Sequence, residues 1–388
     1  MKLAKRIAEI EPSITLAITA RAKKMKAEGI RVIDFGAGEP DFDSPACVKQ
    51  AAIQAINSGF TKYTPVSGIS ELKAAICDKL KKDNGLDYSP DQIVVSCGAK
   101  HTLFSIIQVL CEKGDEVIIP SPYWVSYPAM VKLAGAQPVI VKAEMGNNFK
   151  LNEEDLSSSI TARTKAVILN SPVNPTGSVY QKNELAKIAD IALTRNIFII
   201  SDEIYEKIVY DDSRHLSIAS LNKKTYQSTI VVNGVSKSYS MTGWRIGYMA
   251  GPRRIAEAIT VFQGHSTSNP ASISQKAALA ALRNGGPFIK DMQKEFEKRR
   301  NYILGGFQKI DKLSFSRPQG AFYLFCNISE LGMDSINFSS HLLAQQKVAV
   351  TPGIAFGDDH YVRISFATSM DDIKEGVDRI GRFIKENF

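Results

Sequence analysis

The sequence is poor in the residues that stabilise secreted or metal-dependent proteins. Only five of its 388 residues are cysteine, an odd number, and no two stand in a Cys-x-x-Cys spacing. Neither a disulfide framework nor a zinc site is therefore expected. No apolar run is long enough to span a bilayer, and charges interrupt the opening MKLAKRIAEIEPS before a signal-peptide core could form. These absences predict a cytoplasmic protein with no membrane segment and no metal.

The charge excess is modest and scattered along the chain. The net charge is +8, from 48 lysines and arginines against 40 aspartates and glutamates. A basic surface can attract nucleic acid or steer anionic small molecules. The basic clusters around Lys23–Lys26 and Arg299 are short and have no neighbouring aromatic platform. We therefore expect small-molecule partners rather than nucleic acid.

The length of the chain predicts two domains, because a single core usually stops growing below this size. Several runs rich in Val and Ile show little alternation, which is typical of strands buried on both faces of a parallel sheet. These runs are QIVVS (92–96), DEVIIP (115–120), KAVILN (165–170), IFIISDE (197–203) and TIVVNGV (229–235). The α/β class follows from strands that alternate with helical patterns.

The pattern changes near residue 285, where a charged amphipathic helix precedes the apolar runs AFYLF, VAVTP and YVRISFA. In the last run Val362 and Ile364 alternate with Arg363, which indicates a strand with two different faces. We expect a large domain over residues 45–285. A smaller α+β domain is expected from residues 1–44 and 286–388.

Two loops that follow predicted strands have features of ligand-binding turns. In VVSCGAKHTLF (94–104) a strand ends and Gly98 opens a helix, whose free N–H groups and dipole favour a phosphate. In NSPVNPTG (170–177) prolines flank Asn174, and a stiff loop of this kind can hold an amide against a ligand. Either segment could also be an ordinary turn without a ligand.

A third loop, SDEIYEKIVY (201–210), brings a carboxylate and a phenol together. Asp202 and Tyr205 are three residues apart at the end of a strand, and they share one face if a helix begins there. Such a pair could bind opposite edges of an aromatic heterocycle. The alternative for Asp202 is a helix N-cap.

A fourth loop, NGVSKSYSMTGWRIGY (233–248), contains Lys237 between two serines just after a strand, with Arg245 eight residues further on. Burial at the end of a strand would lower the pKa of the lysine and leave its amine nucleophilic. The alternative is an exposed loop lysine, which is the usual fate of that residue.

The four loops together predict one binding site, because the carboxyl ends of parallel strands meet at one sheet edge. Pyridoxal phosphate needs an amine for its aldehyde, an acid for its ring nitrogen, donors for its phenolate oxygen and a cradle for its phosphate. The loops offer each of these groups.

The lysine segment SKSYSMTGWRIGY resembles the lysine motif of class I pyridoxal-phosphate aminotransferases. The other three loops resemble that family in order and spacing, as do AGEPDF (37–42), TKYTPVSGISELKAAI (61–76), PSPYWVSYP (120–128) and VRISFA (362–367). The resemblance runs from end to end and is strongest to the bacterial-type aspartate aminotransferases. It implies the fold type I architecture, a mostly parallel seven-stranded sheet flanked by helices plus a smaller α+β domain.

The resemblance also implies a role for each matching residue. Lys237 would form the Schiff base with the cofactor and then act as general base and acid. Asp202 would pair with the protonated pyridine nitrogen, so that the ring can accept electrons. Tyr205 and Asn174 would donate to the phenolate oxygen, and Trp124 would stack on the ring.

The phosphate of the cofactor and the substrate have implied partners of their own. The phosphate would be held by backbone N–H groups of Gly98, Ala99 and Lys100 and by the side chains of Ser236 and Arg245. Tyr63 resembles a tyrosine that reaches the phosphate of a neighbouring subunit, which implies a homodimer with shared sites. Arg363 would bind the substrate α-carboxylate in its planar fork, with Gly38 and Asn174 nearby.

The activity implied is ping-pong transamination from L-aspartate to 2-oxoglutarate, giving oxaloacetate and L-glutamate. Aromatic, alanine and prephenate aminotransferases of the same family remain alternatives, as does a non-catalytic regulator that binds the cofactor. Aspartate needs a second contact for its distal carboxylate, and the candidates are Ser13, Thr15, Lys100 and His265. Glu11 argues against prephenate, because some relatives have a basic residue there.

Overall fold

A computed structural model describes residues 4–8, 10 and 14–388. The helices are α1 (Lys5–Ala8), α2 (Ile14–Ala27), α3 (Ala46–Asn57), α4 (Ser70–Asn84), α5 (Ala99–Leu110), α6 (Tyr127–Leu133), α7 (Glu153–Ser159), α8 (Lys182–Thr194), α9 (Lys223–Ser228), α10 (Arg253–Gly264), α11 (Ser272–Asn284), α12 (Gly286–Phe307), α13 (Ser335–Gln346) and α14 (Met370–Asn387). Within these described ranges no helix is long and apolar enough to cross a membrane.

The strands are β1 (Ile33–Asp34), β2 (Ile93–Ser96), β3 (Glu116–Ser121), β4 (Gln137–Lys142), β5 (Thr164–Asn170), β6 (Phe198–Asp202), β7 (Thr229–Gly234), β8 (Gly247–Ala250), β9 (Ser314–Phe315), β10 (Tyr323–Asn327), β11 (Val348–Ala349), β12 (Thr351–Pro352) and β13 (Tyr361–Ser365). Seven of them form one sheet in the order β2-β8-β7-β6-β5-β3-β4. Only β8 runs against its neighbours. This confirms the predicted α/β class and the mostly parallel sheet.

The sheet is covered by helices on both faces, which explains why its strands lack alternation. On β2, Ile93 and Val95 pack into a cluster with residues of α3, α4 and α11. Val94 points the other way, into a cluster with α5 and α10. All four residues of β2 are buried. The edge strand β4 is partly exposed, and its apolar run is only three residues long, between a proline and a lysine, so the sequence did not identify it.

A second unit is built on the antiparallel sheet β12-β13-β10-β9, with α12 and α14 packed against it. Val362 and Ile364 of β13 point into its apolar cluster, whereas Arg363 points to the opposite side, as the alternation predicted. The predicted boundaries fall just before α3 and between α11 and α12. Ile208, from the predicted large domain, also packs into this cluster, so the two units are tightly joined and the domain division stays a prediction.

Candidate active site

A cavity of about 350 Å³ lies where β2, β5, β6 and β7 end, and the second unit covers its other side. Its volume is within the range of small-molecule and cofactor sites. Most of the residues predicted for the site line it: Gly38, Ala99, Lys100, Trp124, Asn174, Asp202, Tyr205, Ser236, Lys237, Arg245 and Arg363. The four loops therefore converge at one sheet edge, as predicted.

Lys237 extends from the loop after β7 into the middle of this cavity. Its Nζ donates to the carbonyl oxygen of Gly38 at 2.5 Å and lies 5.9 Å from the ring centre of Tyr205. Because the surrounding protein excludes water from the ammonium form, burial lowers the pKa of Lys237 to about 8. Far more of this amine is therefore unprotonated, and nucleophilic, near neutral pH than of an ordinary lysine.

Asp202 is buried at the end of β6, and its carboxylate has a partner that the sequence did not reveal. The hydroxyl of Tyr127 donates to Asp202 Oδ2 at 2.6 Å. Burial raises the pKa of Asp202 to about 6, although this hydrogen bond acts in the opposite direction. No helix follows Asp202, because residues 204–207 form a turn. Asp202 and Tyr205 thus reach the same cavity through a turn rather than along a helix face.

Tyr205 and Asn174 lie on the side of the cavity nearest to the second unit. The hydroxyl of Tyr205 lies 2.9 Å from that of Tyr323, a residue that the sequence did not indicate. Asn174 is buried, and its backbone N–H donates to the side-chain oxygen of Asn170 at 2.8 Å. This bond ties the predicted stiff loop to the end of β5.

Arg363 is a buried guanidinium with a planar face and a free donor. It lies between the rings of Tyr323 and Phe356, with its Cζ at 4.3 Å and 4.9 Å from their centroids. Its terminal nitrogens donate to Asn174 Oδ1 at 3.1 Å and to the carbonyl of Gly36 at 3.0 Å. Its Nε has no hydrogen-bond partner in the described part of the chain. A cation held in this way is suited to an anionic ligand.

The start of α5 forms a cradle at the opposite end of the cavity. Gly98 has φ +91°, and a Cβ there would lie 2.3 Å from a terminal nitrogen of Arg245. A Cβ on Gly247 would lie 2.2 Å from the amide nitrogen of Ala99. Glycine is thus required at both positions for the close approach of the strand, the helix start and the guanidinium. The first amides of α5 have no carbonyl partner within the helix and point at this space, beside Ser236.

Other predicted residues lie elsewhere. Gly98 does not line the cavity itself. Tyr63 is 90% exposed and contributes nothing to the cavity of its own chain. His265 follows α10 and is also exposed outside the cavity. Among the distal-carboxylate candidates Lys100 does line it, with its Nζ 4.9 Å from the ring centre of Trp124. Ser13, Glu11 and the side chain of Thr15 are outside the described residues.

The sequence offered weak signals for the residues that it missed. Tyr127 stands three positions after Trp124 in PSPYWVSYP, and the two rings meet edge to face at 5.3 Å. Tyr323 belongs to the apolar run AFYLF, where a buried aromatic is ordinary. Only the packing of β10 beside the cavity gives its hydroxyl a polar neighbour.

The residues present fit pyridoxal phosphate. One end of the cavity has helix N–H groups and a guanidinium for the phosphate, and its floor has an acid, Asp202, for the ring nitrogen. The Lys237 amine lines the same cavity and is available for the aldehyde. Arg363 adds a second cation to the cavity wall, and its Nε has no hydrogen-bond partner among the described residues. Fold and cavity together define a cofactor-dependent enzyme of the aminotransferase type.

Comparison with known proteins gives the family. A family model described as aminotransferase class I and II matches residues 30–380. The chain is 51% identical to an aspartate aminotransferase of Bacillus sp. strain YM-2, over 99% of both chains. It is 46% identical to a probable aspartate/prephenate aminotransferase of Aquifex aeolicus, again over 99% of both. A crystal structure of the aspartate aminotransferase from Rhizobium meliloti superposes with a TM-score of 0.96, with 42% identity, over 100% of this chain and 99% of that one.

The chain belongs to the class I and II aminotransferase family. It is therefore an aminotransferase that uses pyridoxal phosphate, which confirms the enzyme class and the cofactor predicted from the sequence.

Proposed function

We propose that this protein transfers the amino group of L-aspartate to 2-oxoglutarate, giving oxaloacetate and L-glutamate in two half-reactions. The observation that carries the proposal is one cavity lined together by the Lys237 amine, an acid, Asp202, and a buried cation, Arg363. Bound pyridoxal phosphate supplies an aldehyde that condenses with amines and a ring that accepts electrons from the substrate Cα.

Lys237 supplies the proton transfers. With a pKa of about 8, its Nζ is basic enough to take a proton from the substrate Cα and acidic enough to return it. The carbonyl of Gly38, 2.5 Å away, orients the amine in the meantime. The rings of Tyr205 and Phe322, each about 6 Å from Nζ, keep water away from it.

Arg363 binds the α-carboxylate of the amino acid and thereby orients it. Stacking between Tyr323 and Phe356 fixes the plane of the guanidinium, so that the direction of the bound carboxylate is also fixed. The fixed carboxylate decides which bond at Cα is broken, and a Cα–H bond turned toward Lys237 favours transamination over decarboxylation. Asn174 holds one side of the guanidinium, and Gly38 also lines the cavity.

Asp202, Tyr205 and Asn174 are proposed to hold the cofactor ring, and Trp124 to stack on it. An ionised Asp202 keeps a proton on the pyridine nitrogen, which makes the ring a better electron acceptor. The phenol of Tyr205 donates at the other edge of the ring. The N-terminal amides of α5, Ser236 and Arg245 are proposed to hold the phosphate.

Lys100 supports aspartate as the amino donor. It is the candidate distal cation that lines the cavity, and no ion pair neutralises it among the described residues. Burial, with added repulsion from Arg245, lowers the pKa of Lys100. A substrate carboxylate next to it would relieve both effects.

The test uses Lys237→Ala. Borohydride reduction should fix the cofactor covalently to the wild-type chain and not to the variant. Equal covalent incorporation in the variant would contradict the role of Lys237.

A panel of amino donors with 2-oxoglutarate as acceptor tests the substrate. If aspartate ranks below phenylalanine, alanine or prephenate-derived donors, the donor with the highest activity replaces aspartate as the proposed substrate. A chain that binds the cofactor without any turnover would be the non-catalytic regulator.

A homodimer with shared sites in the cytoplasm is part of the proposal. Tyr63 is 90% exposed, and apolar side chains such as Ile53, Ile56 and Val261 are also exposed. These exposed side chains are available for a contact with a second copy of the chain. Tyr63→Ala and Lys237→Ala proteins, each inactive, should regain activity when they are unfolded and refolded together, because one site in the mixed dimer is then intact. No recovery would contradict shared sites.

A further inference from the structure

A second polar cluster lies behind the cavity, on the other side of the segment that carries Asp202 and Tyr205. We name it the rear cluster, and it consists of Glu203, Glu206 and His215. Each offers a side-chain ligand atom within 4.8 Å of the other two. Both carboxylates are buried, and the side chain of His215 is 5% exposed. The proposed reaction uses none of the three.

Glu203 has a complete set of hydrogen bonds although it is fully buried. Its Oε1 accepts from the hydroxyls of Ser201 at 2.8 Å and Ser217 at 2.6 Å. Its Oε2 lies 3.0 Å from Nε2 of His215. Removing a carboxylate from water costs free energy unless hydrogen bonds such as these compensate for it. Packing alone therefore does not explain why a glutamate is present at this position.

The geometry indicates which tautomer His215 has. Its Nδ1 is buried with no partner among the described residues. An N–H at that atom would be a buried donor without an acceptor, which costs more than an idle lone pair. The proton therefore lies on Nε2 and is donated to Glu203.

The residues on either side of Asp202 in the chain, Ser201 and Glu203, are joined by a hydrogen bond between their side chains. In an extended chain successive side chains point to opposite sides. Ser201 and Glu203 accordingly point to the rear and bond each other, while Asp202 between them points into the cavity. The backbone is fixed as well, because Glu203 N–H donates to the Val232 carbonyl at 2.9 Å.

Glu206 is held separately, which argues against a metal ion in the rear cluster. The ammonium group of Lys79 forms an ion pair with Glu206 Oε1, and Asn84 donates to its Oε2 at 2.9 Å. To bind here, a divalent cation would have to displace the ammonium group of Lys79 from Glu206. It would also have to displace the two serine hydroxyls from Glu203. The acceptors of the cluster are already satisfied by the protein.

We propose that Glu203 and His215 are positioning residues for Asp202: their hydrogen bonds to the rear of the chain hold its carboxylate at the cofactor ring nitrogen. This inference rests on the proposed contact of Asp202 with that nitrogen. A displacement of about 1 Å at such a contact can cost about 100-fold in rate, so a rigid support has a large effect.

The test compares two ligands of the full-length protein, pyridoxal phosphate and inorganic phosphate. Both use the cradle at α5, but only the cofactor reaches Asp202. Glu203→Ala and His215→Ala should each weaken the affinity for pyridoxal phosphate about 10- to 100-fold and change that for phosphate less than about twofold. Glu203→Gln keeps an oxygen for the two serine hydroxyls but turns an amide N–H toward the Nε2–H of His215, so it should recover only part of the lost affinity. His215→Ala alone is sufficient if Glu203→Ala does not fold.

The matched control is Glu116→Ala. Glu116 is also buried but lies at the start of β3, at the opposite edge of the sheet, where it accepts from Thr161 at 2.6 Å and Arg163 at 2.8 Å. This variant should lose thermal stability without changing the ratio of the two affinities.

Four outcomes would overturn the inference. In Glu203→Ala and His215→Ala the affinities for pyridoxal phosphate and for inorganic phosphate could fall by the same factor, or neither affinity could fall. Glu203→Gln could be as damaging as Glu203→Ala. A rise in melting temperature with Zn²⁺ that Glu203→Ala abolishes would show a metal site instead. Asp202→Asn separates the two proposals. If this variant leaves the ratio of the two affinities unchanged, the proposed contact of Asp202 with the ring nitrogen is wrong. If Asp202→Asn changes the ratio but Glu203→Ala and His215→Ala do not, only the positioning role of Glu203 and His215 is rejected.

Discussion

The hydroxyl of Tyr127 donates to Asp202 Oδ2 at 2.6 Å, and both side chains are buried. The bond opposes the effect of burial on Asp202, because a donor stabilises the ionised carboxylate. The ring of Tyr127 also meets that of Trp124 edge to face. Tyr127 thus contacts both Asp202, the acid proposed for the pyridine nitrogen, and Trp124, the side chain proposed to stack on the cofactor.

In the cofactor-free protein the pKa of Asp202 is about 6. Tyr127→Phe removes the donor and keeps the ring, so it should raise the pKa of Asp202. We expect kcat/KM to fall about tenfold at the acid end of its pH profile and much less at pH 9, where Asp202 is ionised regardless. The measurement is the pH profile of kcat/KM. Tyr210→Phe is the control, because it loses a buried bond to the Ala321 carbonyl outside the cavity and should not move the profile. An equal loss at every pH would contradict the expected shift.

Asp202 should make the cofactor-free protein less stable at neutral pH. Its folded pKa of about 6 is above the ordinary 3.8 of the unfolded chain. A raised pKa contributes stability that is fully present below about pH 4 and is lost as the pH rises through 6. Asp202→Asn should therefore be more stable than wild type above pH 6, by about 3 kcal/mol at most, and not below pH 4. Urea unfolding across this range measures the difference, and a difference that grows toward low pH would contradict the sign.

The sequence predicted the sheet edge well because its signals are local. Five strands have continuous apolar runs, and the four loops that follow strands have unusual residues at their tips. β4 and β8 were not identified individually, since one is a partly exposed edge strand and the other is a four-residue strand that begins at the end of the lysine motif.

The parts of the site that sequence reasoning missed depend on contacts between distant segments. Tyr323 meets Tyr205 across 118 positions of the chain. Phe356 is near Arg363 in the chain, but it reaches the guanidinium only through the turn after β12. Neither contact can be recognised from the spacing of residues or the composition of the sequence. Tyr127 had a signal, its position three residues after Trp124, but its partner Asp202 is 75 positions away.

Arg363→Lys should impair substrate binding and not cofactor binding. A lysine keeps the charge but loses the planar fork, the stacking on Tyr323 and Phe356, and the bond to the Gly36 carbonyl. We expect kcat/KM for every amino-acid substrate to fall about 100-fold, mainly through KM. Steady-state kinetics with several donors, together with a cofactor titration, tests this. A weakened affinity for the cofactor, or a loss confined to aspartate, would contradict the assignment to the α-carboxylate.

Lys100→Gln should separate substrates with a distal carboxylate from those without one. The Lys100 ammonium lines the cavity beside Trp124 and has no ion-pair partner among the described residues, so a carboxylate in the cavity would be its counter-ion. Glutamine keeps a polar side chain of similar length and removes the charge, and a charge-assisted hydrogen bond contributes about 1.5–3 kcal/mol. We expect kcat/KM for aspartate and glutamate to fall about 10- to 100-fold, while that for alanine stays within about threefold. His265→Gln, an exposed change outside the cavity, should alter neither. Equal losses for aspartate and alanine would place Lys100 in the support of the cofactor phosphate, next to Arg245, and would leave the distal carboxylate to another residue.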